Sequence, residues 1–339
     1  METNITPQIP SDYEVVDKTY SLYGKTIRSN YPMPLPEVIA SKHDITITFN
    51  GLVPKPESLP PNSKNRVWGK ERNSYLLRYY YSSGHMHEFR FSHDGSVITI
   101  TQSWPEWRDT LFPLMNAVMA AAISLQGGTS LHGSSLVYSN RSTLIMGISG
   151  AGKSTLSAAL AAQGLSLHSD DIAFIEWTNE KAPVVMAGYP MIKINPALKE
   201  VLEIPRLQLI PIIEEREHEE LFNPKPTETD APLREKWLSA EYLPGGFYSK
   251  PASLQAMIIL DERNKAIIKP IIKRLKPVHA AMAITEHIYA RDWLNKPGPE
   301  TVNFCTGLAK TVPVYKVNMP DNPELIHHSA SIIREKLLM

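Results

Sequence analysis

Hydrophobic and polar residues alternate along much of the first hundred residues, which is the period of half-buried β-strands. The clearest case is residues 44–50, where apolar and polar positions follow each other strictly. Residues 74–82 are rich in tyrosine and leucine and also favour a strand. Strand patterns over 87–91 and 97–101 are separated by Asp94-Gly95, which predicts a hairpin. The N-terminal part of the chain is therefore predicted to be rich in β-structure.

The pattern then changes to that of a helix over residues 105–125, kinked or broken at Pro113 and ended by Gly127-Gly128. Its most apolar part, residues 111–125, is shorter than the roughly 20 residues that span a bilayer. The segment therefore predicts a buried helix and not a membrane span.

After Gly127-Gly128 the predicted elements follow a different order. Strands are predicted over 130–138 and 143–146, then a helix over 153–163 that ends at Gly164, then short strands within 166–176. Such an order of strand, loop, helix and strand is typical of a nucleotide-binding α/β core.

The rest of the chain contains a charged, proline-bearing segment at 205–237, which predicts a solvated face or mobile loop, or alternatively an acceptor-binding lid. Strands are predicted over 254–260 and 312–317, with helices over 277–289 and from residue 322 onward.

The loop between the strand and the helix matches the phosphate-binding pattern G-x-x-x-x-G-K-[ST] through Gly147, Gly152, Lys153 and Ser154. Glycines let backbone N–H groups close around an anion, and the helix N-terminus adds a partial positive charge. Lys153 is placed to reach the β- and γ-phosphates, and the Ser154 hydroxyl to ligate Mg²⁺. The motif predicts ATP or GTP binding by Ser149, Gly150, Ala151, Gly152, Lys153, Ser154 and Thr155.

Two adjacent aspartates, Asp170 and Asp171, lie 17 and 18 residues beyond Lys153. If the helix ends at Gly164, the returning strand brings both carboxylates back beside the loop. One is suited to hold Mg²⁺ and the other to take the proton from an attacking hydroxyl. Adjacent acids also raise one another's pKa. We assign Asp171 as the base and Asp170, with Ser154, as the metal ligand; the reverse assignment of the aspartates stays open.

Other polar residues near the motif can have either a structural or a functional role. His132 lies on the strand predicted to pair with 144–146, so it is either a packed core histidine or a catalytic group beside the aspartates. His168 is predicted to be structural. Lys193 and Lys236 are predicted to be exposed lysines, with contact to phosphate or substrate as the alternative.

Composition narrows the class of protein. The chain has 339 residues, 42% of them hydrophobic, with 35 Lys+Arg against 35 Asp+Glu. The zero net charge argues against nucleic acid as the main partner. The single cysteine, Cys305, excludes an internal disulfide framework, and the N-terminus does not resemble a signal peptide, so a cytoplasmic protein is expected. The length predicts two domains, a β-rich one with its linking helix at 1–126 and a catalytic one at 127–339.

Four short runs resemble the catalytic core of HPr serine kinase/phosphorylase, a family that shares its fold with phosphoenolpyruvate carboxykinases. They are Leu131-His132-Gly133, residues 147–155, Gly164 and Ser169-Asp170-Asp171-Ile172. A weaker similarity, at residues 20–36, 188–198 and 313–317, extends over nearly the whole chain. There the chain resembles HPr-kinase-related proteins of peptide natural-product clusters, including the lasso-peptide precursor kinases.

The resemblance implies a P-loop kinase core of the HPr kinase/phosphoenolpyruvate carboxykinase-like type with a β-rich N-terminal domain. It further implies ATP- and Mg²⁺-dependent phosphorylation of a serine hydroxyl on a peptide or small protein, by an enzyme that can be a homo-oligomer. Lys153, Ser154, Asp170, Asp171 and His132 then take the family's catalytic roles. The bifunctional members carry a glycine- and arginine-rich signature after the aspartates, and its absence here argues against phosphorolysis and against HPr as the acceptor.

Two other functions are compatible with the residues. One is a nucleotide-responsive binding module in which ATP orders residues 205–237 without chemistry. The other is a small-molecule kinase or carboxykinase-like enzyme, which needs basic side chains converging on a small anion; no arginine cluster lies near the loop in the sequence.

Overall fold

The computed structural model describes residues 16–56, 66–81, 84–103, 110–195, 202, 209–211, 236–289 and 298–338. They fall into two compact units, one ending at Gly127 and the other beginning at Gly128. Both contain sheets and helices, so the predicted mixed α/β class is confirmed.

The first unit is built on one seven-stranded sheet. Its strands are β1 (Lys18–Leu22), β2 (Lys25–Ser29), β3 (Ile45–Leu52), β4 (Arg66–Lys70), β5 (Ser74–Tyr80), β6 (Met86–Ser92) and β7 (Val97–Gln102). They lie in the order β1-β2-β3-β7-β6-β5-β4. The predicted alternation is clear in β3, where Ile45, Ile47 and Phe49 are buried and the threonines between them are half-buried. The hairpin predicted at Asp94-Gly95 is also confirmed, since β6 and β7 pair antiparallel across it.

A buried helix ends the first unit. It runs as α1 (Leu111–Pro113), a π-helical turn (Leu114–Val118) and α2 (Met119–Leu125). The break predicted at Pro113 is thus a change from α- to π-type hydrogen bonding, which fits a residue without a backbone N–H. All residues from 114 to 123 are buried, and a helix that is apolar on all sides needs such burial. In the described residues no helix has the length and apolarity that crossing a bilayer requires.

The second unit contains a larger mixed sheet and a small separate one. Its strands are β8 (Ser130–Tyr138), β9 (Arg141–Gly147), β10 (Ser166–Ser169), β11 (Ile172–Trp177), β12 (Pro183–Met186), β13 (Met191–Ile194), β14 (Leu209–Pro211), β15 (Lys236–Ser239), β16 (Ala252–Leu260), β17 (Ile271–Arg274) and β18 (Val314–Asn318). The small sheet has the order β13-β15-β14. The described parts of the charged segment at 205–237 belong to this small sheet; the predicted loop or lid otherwise lies outside the described residues.

In the larger sheet, β9, β16 and β18 run parallel. β8 pairs antiparallel with β9 on one edge and with β11 on the other. Because β12 pairs with both β11 and the start of β16, five strands form a closed circuit of pairings. This circuit fixes β9 between β8 and β16.

Helices cover both faces of this sheet. They are α3 (Lys153–Ala162), α4 (Pro277–Glu286), α5 (Pro299–Thr311) and α6 (Ile326–Ile333). Ile145 of β9 belongs to the core that contains residues of α3 and α6, whereas Leu144 and Met146 belong to the core with α4 and α5. Successive side chains of β9 thus point to opposite faces of the sheet, and the sheet is the middle of three layers.

Candidate active site

The glycine-rich loop connects the buried strand β9 to helix α3. Residues 144–146 are fully buried, so the strand is fixed in the sheet up to Gly147. Gly150 and Gly152 have φ of 80° and 96°, a region that glycine enters without steric cost. Helix α3 begins directly after Gly152, so its unpaired first-turn N–H groups face the loop, where an anion binds favourably. The predicted nucleotide-binding residues divide between this loop and this turn, with Ser149, Gly150, Ala151 and Gly152 in the loop and Lys153, Ser154 and Thr155 in the turn.

The Lys153 side chain lies within the loop itself. It is buried, and its Nζ donates hydrogen bonds to the carbonyl oxygens of Gly147 at 3.0 Å and Ile148 at 3.3 Å. Lys153 therefore brings a positive charge to the end of β9, next to the N–H groups of the helix.

The two aspartates occupy a tight turn between β10 and β11. The Ile172 N–H donates to the Asp170 carbonyl at 2.8 Å, and the Gly133 N–H donates to the Asp171 carbonyl at 3.1 Å. Gly133 is in turn paired with Met146 of β9. Since neighbouring strands are about 5 Å apart, Asp171 lies about two strand spacings, or roughly 10 Å, from the start of the loop.

Gly133 is required for this close packing. A Cβ at this position would lie 2.6 Å from the Ile145 carbonyl oxygen and 3.0 Å from a side-chain carbon of both Leu144 and Met146. The absence of a side chain at residue 133 therefore lets β8, which carries the aspartate turn on its other edge, pack closely against β9.

Asp170 is fully buried and both of its carboxylate oxygens accept hydrogen bonds. Oδ1 accepts from the Ser134 hydroxyl, and Oδ2 accepts from the Lys193 backbone N–H at 2.8 Å. Burial, together with the charge of Asp171, raises the pKa of Asp170. Asp170 thus ties the turn to β8 on one side and to β13 on the other.

Asp171 presents its carboxylate to two basic side chains. Its Oδ1 lies 3.2 Å from Lys193 Nζ and 3.5 Å from His132 Nε2, and the side chain is 14% exposed. Burial acts to raise the pKa of Asp171, but the hydrogen bond from His132 and the charge of Lys193 outweigh it and lower that pKa well below its ordinary range. Within the described part of the chain, Oδ2 makes no hydrogen bond. The site thus holds an ionised carboxylate with one oxygen still available.

Lys193 was expected to be solvent-exposed, and that expectation is wrong. Its side chain is 13% exposed and forms an ion pair with Asp171, while its backbone N–H binds Asp170. One lysine of β13 therefore contacts both members of the acid pair. The side chain of Lys236 lies outside the described residues.

His132 was predicted to be either a packed core histidine or a catalytic group beside the aspartates. The structure places it next to Asp171. Its ring lies against Asp171, and its centroid is 5.9 Å from that of the Tyr289 ring in an edge-on arrangement. Its backbone N–H donates to the His287 carbonyl at 2.7 Å. Burial lowers the pKa of His287 to about 4, with further contributions from His132 and Lys153. The charges of His132 and Lys153 thus both act on His287, which the sequence analysis did not identify.

His168, in contrast, serves the core. The ring is fully buried, its Nε2 lies 2.9 Å from the Lys250 carbonyl oxygen, and its Nδ1 lies 3.5 Å from the Ser142 hydroxyl. Because a carbonyl only accepts, the ring proton is on Nε2. Burial lowers the pKa of His168 to about 4, although the Lys250 carbonyl opposes this.

We expect His168 to make the second unit acid-sensitive. Its pKa is lower in the folded state than the 6.5 of the unfolded chain, so below that value the unfolded chain binds a proton that the folded chain does not. The free energy of unfolding should fall by roughly 2–3 kcal/mol between about pH 7 and pH 4.5 through this residue. Urea unfolding of His168→Gln, whose amide can still donate to Lys250, should show a weaker pH dependence than the parent. The exposed His328→Gln is the control, and equal pH dependence in all three proteins would contradict the expectation.

Some of the predicted Mg²⁺ ligands are suited to bind the ion in this structure, and one is not. The Ser154 hydroxyl in the first turn of α3 and the available Oδ2 of Asp171 are oxygen groups of the kind that Mg²⁺ prefers. Asp170, predicted as a ligand, has both oxygens occupied by neighbouring donors and no exposed surface in this conformation. No group of three or more His, Cys, Asp or Glu side chains able to hold a metal occurs among the described residues. A Mg²⁺ here would depend on phosphate oxygens for much of its coordination.

Comparison with known proteins assigns this chain to no family. The sequence matches no protein-family profile and no curated protein. Among solved structures, the chain is similar to the HPr(Ser) kinase/phosphatase from Coxiella burnetii, with a TM-score of 0.31, 15% identity, and coverage of 61% of this chain and 97% of that chain. A TM-score of this size carries no argument about function. The chain is thus a mixed α/β protein with an acid pair beside a glycine-rich loop, and its resemblance to the HPr kinases and lasso-peptide kinases stays a prediction from its sequence.

Proposed function

We propose that this protein is a Mg²⁺-dependent phosphotransferase that moves the γ-phosphoryl group of ATP to a hydroxyl, a serine of a peptide or small protein. The observation that supports this most is the ionised Asp171, held by His132 and Lys193 about two strand spacings from the glycine-rich loop. A nucleotide-binding loop alone requires no such carboxylate.

The loop and Lys153 supply the nucleotide side of this proposal. Backbone N–H groups and the N-terminus of α3 stabilise the phosphates, and Lys153 exchanges its carbonyl partners for phosphate oxygens. When bound, Mg²⁺ would neutralise charge on the β- and γ-phosphates, with Ser154 and one of the two aspartates as its protein ligands. Because Oδ2 of Asp171 is the available carboxylate oxygen, we assign Asp171 as the base; Asp170 would hold Mg²⁺ only after releasing Ser134 or the Lys193 N–H.

The proposed reaction is an in-line displacement. The acceptor hydroxyl oxygen forms a bond to the γ-phosphorus while the bond from that phosphorus to the β–γ bridging oxygen breaks, which releases ADP. The hydroxyl proton passes to Oδ2 of Asp171, whose other oxygen stays with Lys193 and His132. Because such transfers are dominated by positioning and charge stabilisation, a low carboxylate pKa is compatible with this late proton acceptance.

The nature of the acceptor rests on the sequence resemblance. A serine-bearing peptide, including a ribosomal natural-product precursor, is the acceptor that the related kinases suggest. The cytoplasm is the compartment expected for such a reaction, because it supplies ATP.

The test is direct transfer. The purified full chain is incubated with Mg²⁺, γ-labelled ATP and serine-containing peptides encoded near its gene, each paired with a peptide in which that serine is alanine. We expect intact-mass measurement to find one added phosphoryl group on serine peptides only. Nucleotide binding without transfer to any peptide would contradict a peptide kinase. It would favour a nucleotide-responsive binding module, or a small-molecule kinase if labelled ATP is consumed with a small hydroxyl compound.

A further inference from the structure

Strand β17 forms one edge of the larger sheet in the second unit. Among the described residues it pairs with β18 alone, and the order of strands ends there. The Leu275 N–H, just beyond the paired residues, donates to the Val314 carbonyl at 2.8 Å. Bonded and non-bonded pairs alternate along an antiparallel ladder, so the residues two and four positions before Leu275 also bond to β18. The N–H and C=O groups of Ile272 and Arg274 therefore point away from β18, toward the open edge.

The segment around this edge is strongly basic. Residues 265–276 include five Lys or Arg and no Asp or Glu, although the whole chain has no net charge. Four of these basic residues are exposed and lie on β17 or close to it: Lys269, Lys273, Arg274 and Lys276. None of the four forms an ion pair with another residue that the structure describes. The edge therefore carries a local positive charge that the protein does not balance.

Lys273 is the basic residue in the middle of the edge. It lies directly opposite Lys316 of β18, and like charges in such a position destabilise a sheet. Asp261 neutralises Lys316 at 2.8 Å, but it forms no ion pair with Lys273. An acidic side chain placed beside Lys273 from the open side would therefore be attracted to the edge.

Apolar side chains accompany these charges. Ile268 is 76% exposed and Ile271 is 53% exposed. Ile272 packs against the core that contains residues of α3 and α6, so Lys273 points to the other face of the sheet. A strand added at this edge would match it with acidic residues on the face of Lys273 and apolar residues on the face of Ile272.

The charges also decide which partner fits. Lysines at a sheet edge oppose pairing with a second copy of this chain, because each copy brings the same positive charges into contact. An acidic strand meets attraction instead, and the outward N–H and C=O groups of β17 offer it main-chain hydrogen bonds. We propose that the β17 edge is a docking site for an extended, acidic segment of a partner polypeptide, which adds antiparallel to β17. The site is independent of the proposed phosphotransferase activity.

The test measures binding of a capped, fluorescein-labelled peptide of alternating Glu and Val to the full chain by fluorescence anisotropy. In antiparallel pairing with a glutamate beside Lys273, the valines lie opposite Ile272 and Arg274 and form the hydrogen bonds. Methylation of every valine N–H should then weaken binding by about tenfold or more, whereas methylation of every glutamate N–H should change it less than about twofold. The two methylated peptides have the same charge and composition, so they separate strand addition from simple charge attraction.

A charge reversal tests the acidic nature of the partner. Lys273→Glu should fold like the parent, because the new carboxylate lies opposite Lys316. We expect it to weaken binding of the unmethylated peptide about tenfold, since attraction to the glutamates becomes repulsion. Lys250→Glu, which reverses an exposed lysine of the same unit outside this segment, is the matched control and should leave the affinity unchanged.

Several results would overturn the proposal. Equal effects of the two methylated peptides would exclude strand addition, and an unchanged affinity of folded Lys273→Glu would exclude an acidic partner. Failure of the parent protein to bind the peptide would remove the docking site altogether. Tighter binding of oligothymidylate or of phosphatidylserine vesicles than of the peptide would exclude a polypeptide as the partner. None of these measurements uses ATP, so they leave the proposed function to its own test.

Discussion

Asp171→Asn is expected to lower the rate of phosphoryl transfer by about 10²- to 10⁴-fold, the range attributed to a positioned general base. The amide has no charge to pair with Lys193 and cannot accept the hydroxyl proton. The backbone should be unaffected, because Asp171 has a φ of 66° and asparagine tolerates this left-handed conformation as well as aspartate does. The measurement is the initial rate of acceptor phosphorylation, set beside the dissociation constant for ATP.

Comparing the effect of Asp171→Asn on the transfer rate with its effect on ATP affinity identifies the role of Asp171. A base or positioning carboxylate predicts an ATP dissociation constant within about threefold of the parent. A parallel loss of rate and affinity would instead assign Asp171 to nucleotide or metal binding. Asp94→Asn is the matched control: the hydrogen bonds of Ser92 and Ser96 lower the pKa of Asp94 to about 2, but Asp94 belongs to a hairpin turn of the first unit. It should leave transfer unchanged.

Features set by short-range patterns were predictable from the sequence. The alternation in 44–50, the hairpin at Asp94-Gly95 and the step from a buried strand through glycines into α3 depend on neighbouring residues and were predicted at nearly the observed positions. The return of Asp170 and Asp171 toward the loop also followed from local rules, because the helix ends near Gly164 and the next strand runs back.

Partners that come from distant segments were not predictable. Lys193 reaches Asp171 because β13 is anchored to Asp170 through a backbone N–H, and no local pattern encodes that contact. His287 arrives through the pairing of Ile288 with Leu131, across more than 150 residues of chain. Ser134 could have been found, since it lies two residues from His132 and therefore on the same face of the strand.

Helix α5 was missed for a different reason. It contains Gly307, Asn303 and several threonines, all weak helix formers, so its propensity is low. Its helical state is secured by tertiary packing of Cys305 and Leu308 into the core that contains Leu144 and Met146. Intrinsic propensity was therefore overridden by burial.

Lys153→Met is expected to weaken ATP binding about tenfold and to lower transfer by about 10²- to 10³-fold. The methionine side chain is similar in length but has no positive charge, so it cannot interact with developing charge on the β- and γ-phosphates. The effect on rate should exceed the effect on affinity, because charge on the transferred group and the leaving oxygen is redistributed in the transition state. Calorimetry with ATP and the initial transfer rate give the two quantities.

A control variant and a stability measurement test whether the effect of Lys153→Met arises at the loop. Lys265→Met removes an exposed lysine of the same unit and should change neither quantity. Since Lys153 also donates to the carbonyls of Gly147 and Ile148, the variant must unfold near the parent temperature before its kinetics are interpreted. A folded Lys153→Met protein that binds ATP and transfers phosphate at the parent rate would remove Lys153 from the mechanism. The loop would then be left to act through its backbone N–H groups alone.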